Sequence, residues 1–139
     1  MLSPEPPVPH ASEWVFDVDG CLVDSLTGTS LRPGTRALLG QLRSRGVTVL
    51  VWSAGGAEYA QRRVTQFALG GLVAGCHAKG ERDPDGAYGA AHLPVRTDAV
   101  FVDDHPEELG AHLHVVGVRS YLSPDSSDVD LDALARRLR

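Results

Sequence analysis

The chain has 139 residues, of which 42% are hydrophobic, and a formal net charge of −5. This length suits one domain with a hydrophobic core of its own. The acidic balance disfavours nucleic acids and anionic membrane surfaces as partners, and no apolar run approaches the length of a membrane span. Cys21 and Cys76 are too few for a disulfide framework, so we expect a reducing, cytoplasmic environment.

The first part of the chain differs in composition from the rest. Residues 1–12 contain four prolines and few apolar side chains. This is typical of a flexible terminus and lacks the features of a targeting signal. We therefore interpret residues 1–12 as a flexible tail and residues 13–139 as the folded domain.

The next segments predict a strand, a helix and a second strand. Residues 14–18 form a short apolar run, which indicates the first strand. Pro33 suits the first turn of a helix, and Gly46 is a typical residue at which a helix stops. Residues 47–52 are continuously apolar and rich in β-branched side chains, as expected of a strand buried on both faces.

The middle of the chain predicts a second helix and a weaker third strand. Residues 57–67 carry apolar side chains at helical spacing, and glycines follow at residues 70–71. Residues 72–74 are a weak strand candidate. Residues 81–96 are irregular and include a clear turn at residues 83–86.

The last part predicts two more strands and a terminal helix. Residues 99–102 and 114–118 are apolar runs, and Pro106 between them starts a short helix. Leucines at helical spacing in residues 131–138 indicate the terminal helix. Alternating strands and helices predict an α/β fold, a single Rossmann-like, doubly wound domain with a mainly parallel sheet of about five strands.

Polar side chains follow three of the predicted strands. Asp17 and Asp19 follow the first strand, Ser53 follows the second, and the pair Asp103 and Asp104 follows the fourth. Ligands of such sheets bind beyond the carboxyl ends of the strands, so we expect these side chains to share one pocket. Carboxylates that meet at one edge repel each other unless a hard cation lies between them.

In this order the motifs resemble those of the haloacid dehalogenase-like hydrolase superfamily, over about residues 13–121. In that superfamily an Asp-x-Asp-Gly motif follows a hydrophobic strand, and a second strand ends in Ser or Thr. A lysine comes third, and a strand ending in paired acids comes fourth. The matching residues are the motif at 17–20, then Ser53, then Lys79, the only lysine of the chain, and then Asp103 with Asp104. Cys21 stands where Thr or Val is more usual, and we interpret it as a packing residue.

The resemblance implies phosphoryl transfer through an aspartyl-phosphate. Asp17 would be the nucleophile, and Asp19 would act as general acid and then as general base. Ser53 would donate to a phosphoryl oxygen, and Lys79 would offset negative charge. Backbone N–H groups would complete the phosphate cradle, namely those of Val18, Asp19 and Ala54.

The resemblance also implies Mg²⁺ as cofactor. Its ligands would be Asp17, the main-chain carbonyl of Asp19, and Asp104, with Asp103 helping to position Asp104. Because members that cleave carbon–halogen or carbon–phosphorus bonds lack a carboxylate at the position of Asp19, its presence favours phosphate-ester hydrolysis.

The spacing of the motifs leaves no room for a cap domain, so we expect an open site. The resemblance then implies a phosphorylated small molecule or a phosphoprotein as substrate. It also allows a homo-oligomer in which a neighbouring subunit shields the site. The flap, residues 22–31, and the covering loop, residues 81–96, are the expected specificity elements. The cations that we would test beside them are Arg32, Arg82 and Arg96.

Other interpretations remain open from the residues alone. The protein could transfer phosphoryl groups to an acceptor other than water, or bind phosphorylated ligands without turnover. Ser53 alone could simply cap a helix. Cys76, His77 and His92 could hold zinc, although an adjacent Cys and His without a second cysteine pair form a poor tetrahedral set.

Overall fold

The computed structural model describes residues 6–8 and 10–138 and contains one sheet of five parallel strands. In chain order the strands are β1 (Glu13–Asp17), β2 (Thr48–Ser53), β3 (Gly75–Ala78), β4 (Val100–Asp103) and β5 (His114–Gly117). Their spatial order is β3-β2-β1-β4-β5. The helices are α1 (Thr35–Ser44), α2 (Ala57–Gln66) and α3 (Asp130–Ala135), and Pro106–Glu108 forms a short 3₁₀ helix.

The central strand β1 is buried on both faces. Trp14, Val15 and Phe16 are each at most 2% exposed. Because successive side chains of a strand point to opposite faces, Trp14 and Phe16 belong to one hydrophobic cluster and Val15 to the other. The continuous apolar run of this strand therefore reflects its position between two packed layers.

The first layer consists of the three α-helices. Leu38 and Leu42 of α1 and Leu131 and Leu134 of α3 are buried in the same cluster as Trp14. Each fully buried leucine of this kind contributes about 1.5–3 kcal/mol relative to an exposed one. The helices thereby fix the sheet from one side.

Irregular chain covers the other face of the sheet. Leu93 of the covering loop and Leu109, which follows the 3₁₀ helix, pack against Val15, Trp52 and Phe101. This arrangement follows from right-handed crossovers, since β4 and β5 extend the sheet in the direction opposite to β2 and β3. The predicted Rossmann-like, doubly wound domain without a cap is confirmed for the described residues.

Two expectations from the sequence are wrong in detail. The third strand was expected at residues 72–74, but β3 spans Gly75–Ala78. Leu72 and Val73 instead pack against the core in the turn that follows α2, and pairing with β2 begins only where the Ala74 N–H donates to the Val49 carbonyl.

The expectation of a flexible tail is wrong for Val8 and Ala11. Both side chains are 2% exposed, and the Val8 N–H donates to the Arg137 carbonyl at 2.9 Å. The predicted tail is therefore packed against the core at these two residues. Residues 1–5 and 9, also in the predicted tail, lie outside the described residues.

The helices are short. α1 and α2 each have ten residues, and in the described part of the chain no helix has the length and apolar character needed to cross a membrane.

Candidate active site

The candidate site lies at the carboxyl edge of the three central strands. Asp17 ends β1, Ser53 ends β2 and Asp103 ends β4. Because β1 pairs with β2 on one side and with β4 on the other, these residues come together at the point where the crossovers diverge.

Three carboxylates form an acidic cluster, defined here as Asp17, Asp103 and Asp104. One oxygen of each lies within 4.8 Å of the others. Lys79 is 4% exposed, and its Nζ lies 3.1 Å from Asp17 Oδ1 and 2.8 Å from Asp103 Oδ2. A single buried ammonium therefore contacts two of the three carboxylates, and the third, Asp104, lies 3.4 Å from His105 Nε2.

The electrostatics of the site follow from this imbalance. Burial and the neighbouring Asp103 charge raise the pKa of Asp17 well above its ordinary value, although Lys79 acts in the opposite direction. Burial alone would lower the pKa of Lys79, but the charges of Asp17 and Asp103 outweigh it and raise that pKa. Lys79 thus stays protonated, while a bare Asp17 carboxylate is disfavoured without more positive charge.

Both carboxylate oxygens of Asp103 accept hydrogen bonds from the protein. Its Oδ2 accepts from Lys79 Nζ at 2.8 Å, and its Oδ1 accepts from the His105 N–H at 2.8 Å. With both oxygens occupied, Asp103 is suited to hold Lys79 and the turn after β4 in place.

Asp104 differs because one of its oxygens has no partner. Its Oδ2 accepts from Ser120 Oγ at 2.9 Å, whereas its Oδ1 is buried and has no hydrogen-bond partner among the described residues. The side chain packs so closely against Gly20 that a Cβ at position 20 would clash with it. A buried carboxylate oxygen without a partner costs free energy that a bound cation would remove.

The donor set therefore fits a hard cation such as Mg²⁺. Asp17 and Asp104 supply carboxylate oxygens, and Mg²⁺ in proteins typically takes one or two carboxylates while keeping several waters. Asp103 also offers a carboxylate oxygen to this cluster, and its contacts with Lys79 and the His105 N–H suit it to positioning.

Ser53 is held in place by backbone contacts. Its Oγ accepts from the Gly55 N–H at 3.0 Å, and its carbonyl accepts from the Lys79 N–H at 3.0 Å. The hydroxyl hydrogen remains available to donate. The N-cap of α2 is Gly56, so the interpretation of Ser53 as a simple helix cap is wrong.

Asp19 lies outside the acidic cluster. Its Oδ1 accepts a hydrogen bond of 2.6 Å from the Tyr59 hydroxyl, a contact across 40 positions of the chain. Val18 and Asp19 directly follow β1, and Ala54 directly follows β2. Their main chain therefore lies at the same edge as the acidic cluster.

The alternative zinc set does not assemble. Cys76 and His77 are neighbours in β3 and so point to opposite faces of the sheet. Cys76 packs against the helical layer, while His92 Nε2 contacts the Ala78 carbonyl at 2.7 Å. Among the described residues, 6–8 and 10–138, the acidic cluster is the one group of three or more His, Cys, Asp or Glu side chains placed so that it could hold a metal ion.

Of the three cations considered for substrate binding, Arg32 has a structural role. It is 1% exposed, and its Nε and Nη2 donate to Asp128 at 2.8 and 3.1 Å. Its Nη1 donates to the Cys21 carbonyl. A side chain held in this way is not available to a substrate.

Arg82 and Arg96 are exposed. The Arg82 guanidinium lies 4.5 Å from the ring centre of Tyr88, and that ring centre is 5.3 Å from Lys79 Nζ. The covering loop thus reaches the edge of the candidate site through Tyr88.

Sequence reasoning missed Tyr59 and Ser120. Each touches a candidate catalytic or metal-binding carboxylate, Asp19 and Asp104 respectively. Tyr59 follows the glycine pair after Ser53, which was a usable signal that the chain there stays close to the site. Ser120 lies in an irregular polar stretch with no such signal.

No protein-family model matches this chain, and no curated protein matches it in sequence. The functional interpretation therefore depends on the chemistry of the site itself.

Proposed function

We propose that this protein is a Mg²⁺-dependent phosphomonoester hydrolase of the haloacid dehalogenase-like type, with an open site and an aspartyl-phosphate intermediate. The observation that carries this proposal is the buried Asp17, contacted by Lys79 and lying next to Asp104, which has an unpartnered oxygen. The proposed nucleophile, a cation and a candidate metal-binding oxygen thus lie at one strand edge.

In the first half-reaction, a carboxylate oxygen of Asp17 attacks phosphorus and forms a bond to it. The bond between phosphorus and the leaving oxygen breaks, and Asp19 gives its proton to that oxygen, so that an alcohol leaves. Ser53 Oγ–H donates to a phosphoryl oxygen. Lys79 stabilises negative charge on Asp17 and on the transferred group.

In the second half-reaction, Asp19 takes a proton from water, and the water oxygen attacks phosphorus. The bond between phosphorus and Asp17 breaks, which returns the carboxylate and releases inorganic phosphate. Asp19 is protonated again and ready for the next cycle. Each half-reaction conserves charge and protons with this chain's own residues as donors and acceptors.

Mg²⁺ would be held by Asp17, the Asp19 carbonyl and Asp104, and would supply positive charge to the transferring phosphoryl oxygens. The same charge would favour the ionised, nucleophilic form of Asp17, whose pKa burial raises.

The substrate is proposed to be a phosphorylated small molecule or a phosphoprotein. The acidic net charge disfavours nucleic acid. The flap and the covering loop border the site, and a second copy of the chain could shield it further. A cytoplasmic location agrees with the free thiols of Cys21 and Cys76.

A second candidate function is phosphotransfer to an acceptor other than water. It uses the same Asp17 intermediate, and the open edge of the sheet would admit an alcohol. Added alcohols would divert product from inorganic phosphate to new phosphate esters in that case. A module that only binds phosphorylated ligands would show no turnover at all.

The proposal is tested by hydrolysis of p-nitrophenyl phosphate with Mg²⁺ and after chelation, in the wild type and in Asp17→Asn. Turnover that needs Mg²⁺ and is lost in Asp17→Asn is expected. Turnover that persists in Asp17→Asn would overturn the assignment of the nucleophile.

A further inference from the structure

We propose that Tyr59 is a positioning residue for the general acid–base Asp19, and that Arg63 couples this contact to the flap. This inference rests on the proposed function, because it assigns a role within the same reaction. It is supported by a series of hydrogen bonds that runs from the flap to the Asp19 carboxylate.

The first link joins Tyr59 to Asp19. The Tyr59 hydroxyl donates to Asp19 Oδ1 at 2.6 Å. Tyr59 thus holds one of the two oxygens of the Asp19 carboxylate.

The second link joins Tyr59 to the flap. Arg63 lies one helical turn after Tyr59 in α2, and its Nε donates to the Tyr59 oxygen at 3.2 Å. Arg63 Nη1 and Gln66 Nε2 donate to the Gly28 carbonyl at 3.1 and 2.8 Å. Arg63 thus touches both the tyrosine that contacts Asp19 and the flap, which is an expected specificity element.

A glycine makes room for the contacts at each end of this series of hydrogen bonds. Gly28 has φ 67°, and a Cβ there would clash with the Arg63 guanidinium. A Cβ on Gly55 would lie 3.1 Å from the Tyr59 ring and 3.4 Å from Ser53 Oγ. Gly55 therefore allows the Tyr59 ring to lie directly beside the Ser53 turn, within the candidate site.

The arrangement has a defined chemical consequence. Proton transfer to a leaving oxygen requires the acid at a fixed distance and angle. A hydrogen bond on Oδ1 restricts rotation of the Asp19 side chain. Tyr59 should therefore matter most when the leaving group needs a proton, and little when the leaving group departs as a stable anion.

The test compares two substrates in Tyr59→Phe, which keeps the ring and removes the hydroxyl. The substrates are a simple alkyl phosphate, whose leaving group needs a proton, and 2,4-dinitrophenyl phosphate, whose leaving group does not. The measured quantity is kcat/KM, which reports the first half-reaction. We expect kcat/KM to fall about 10- to 100-fold for the alkyl phosphate and less than about threefold for the dinitrophenyl ester.

Two further variants make the comparison specific. Asp19→Asn should show the same dependence on the leaving group, and adding Tyr59→Phe to Asp19→Asn should cause no further loss. Tyr121→Phe is the matched control, because it removes a hydroxyl that contacts Ser30 of the flap without touching Asp19. It should leave the ratio of the two kcat/KM values unchanged.

The outcomes separate this inference from the proposed function. Equal falls in kcat/KM for the two substrates in Tyr59→Phe would overturn the positioning role and leave the phosphatase proposal standing. The same conclusion would follow if Tyr59→Phe lowered kcat/KM as much in Asp19→Asn as in the wild type. Absence of Mg²⁺-dependent turnover in the wild type would overturn the phosphatase proposal, and this role with it.

Discussion

Lys79 Nζ lies 3.1 Å from Asp17 Oδ1, and this contact joins the end of β1 to the residue that follows β3. It exists because the Lys79 N–H donates to the Ser53 carbonyl, which holds the main chain of Lys79 beside the end of β2. Main-chain pairing thus brings the proposed nucleophile and the lysine together before any ligand binds.

Lys79→Met should lower kcat by at least about 100-fold, because it removes positive charge from the buried nucleophile and the transferring group. The measurement is steady-state hydrolysis of p-nitrophenyl phosphate with Mg²⁺. Arg43→Met, on the exposed face of α1, is the control and should retain most activity. A change in KM alone for Lys79→Met would contradict the assigned role of this lysine.

Mg²⁺ should raise the Tm of the wild type, because it binds the folded acidic cluster and not the unfolded chain. Asp104→Asn should abolish most of this shift, since Asp104 carries the unpartnered buried oxygen. Asp98→Asn removes an exposed carboxylate elsewhere and should leave the shift intact. Thermal unfolding with and without Mg²⁺ gives the Tm shift of all three proteins. An unchanged Tm shift in Asp104→Asn would exclude Asp104 as a ligand.

Arg32→Met should destabilise the fold by about 3 kcal/mol, because it leaves the partly buried Asp128 carboxylate without its bidentate partner. Chemical denaturation gives the free energy of unfolding. Arg43→Met, on the exposed face of α1, should change it by less than about 0.5 kcal/mol. Equal effects of the two substitutions would contradict the structural role of Arg32.

The flap should lose stability in acid through Asp24. Burial would raise the pKa of Asp24, but hydrogen bonds from the Thr27 side chain and from the backbone N–H groups of Ser30, Thr27 and Thr29 lower it from 3.8 to about 2. A lowered pKa in the folded state means that the ionised form stabilises the fold. This contribution is complete above the unfolded value of 3.8 and is lost as the pH falls towards 2.

Asp24→Asn should therefore reduce the free energy of unfolding by about 1 kcal/mol at neutral pH. The difference from the wild type should shrink as the pH falls below 3.8. Denaturation curves across this range measure it. A difference that stays constant over the same range would mean that the charge of Asp24 does not stabilise the flap.

The sheet and the convergence of Asp17, Ser53 and Asp103 could be predicted from the sequence. Strands buried on both faces leave continuous apolar runs, and parallel strands end at the same edge. β3 was misplaced because it pairs only with β2 and contains a cysteine and a histidine, so its composition is not that of a buried strand.

The contacts that refine the site could not be predicted in the same way. Tyr59 reaches Asp19 across 40 positions, and Ser120 reaches Asp104 across 16. Such pairs depend on how α2 and the segment after β5 pack against the sheet. Similarly, an arginine at position 32 is a residue type that could bind substrate. Only its burial and its contact with Asp128 show that Arg32 has a structural role.

The central claim is that Asp17 carries the phosphoryl group. The most direct measurement is rapid acid quenching during turnover of an aryl phosphate with Mg²⁺, followed by mass spectrometry of the peptide that contains Asp17. We expect an acid-stable, hydroxylamine-sensitive phosphoryl adduct on Asp17 in the wild type and none in Asp17→Asn, which should also be inactive. Turnover without an adduct on Asp17, or an adduct on another residue, would contradict the account.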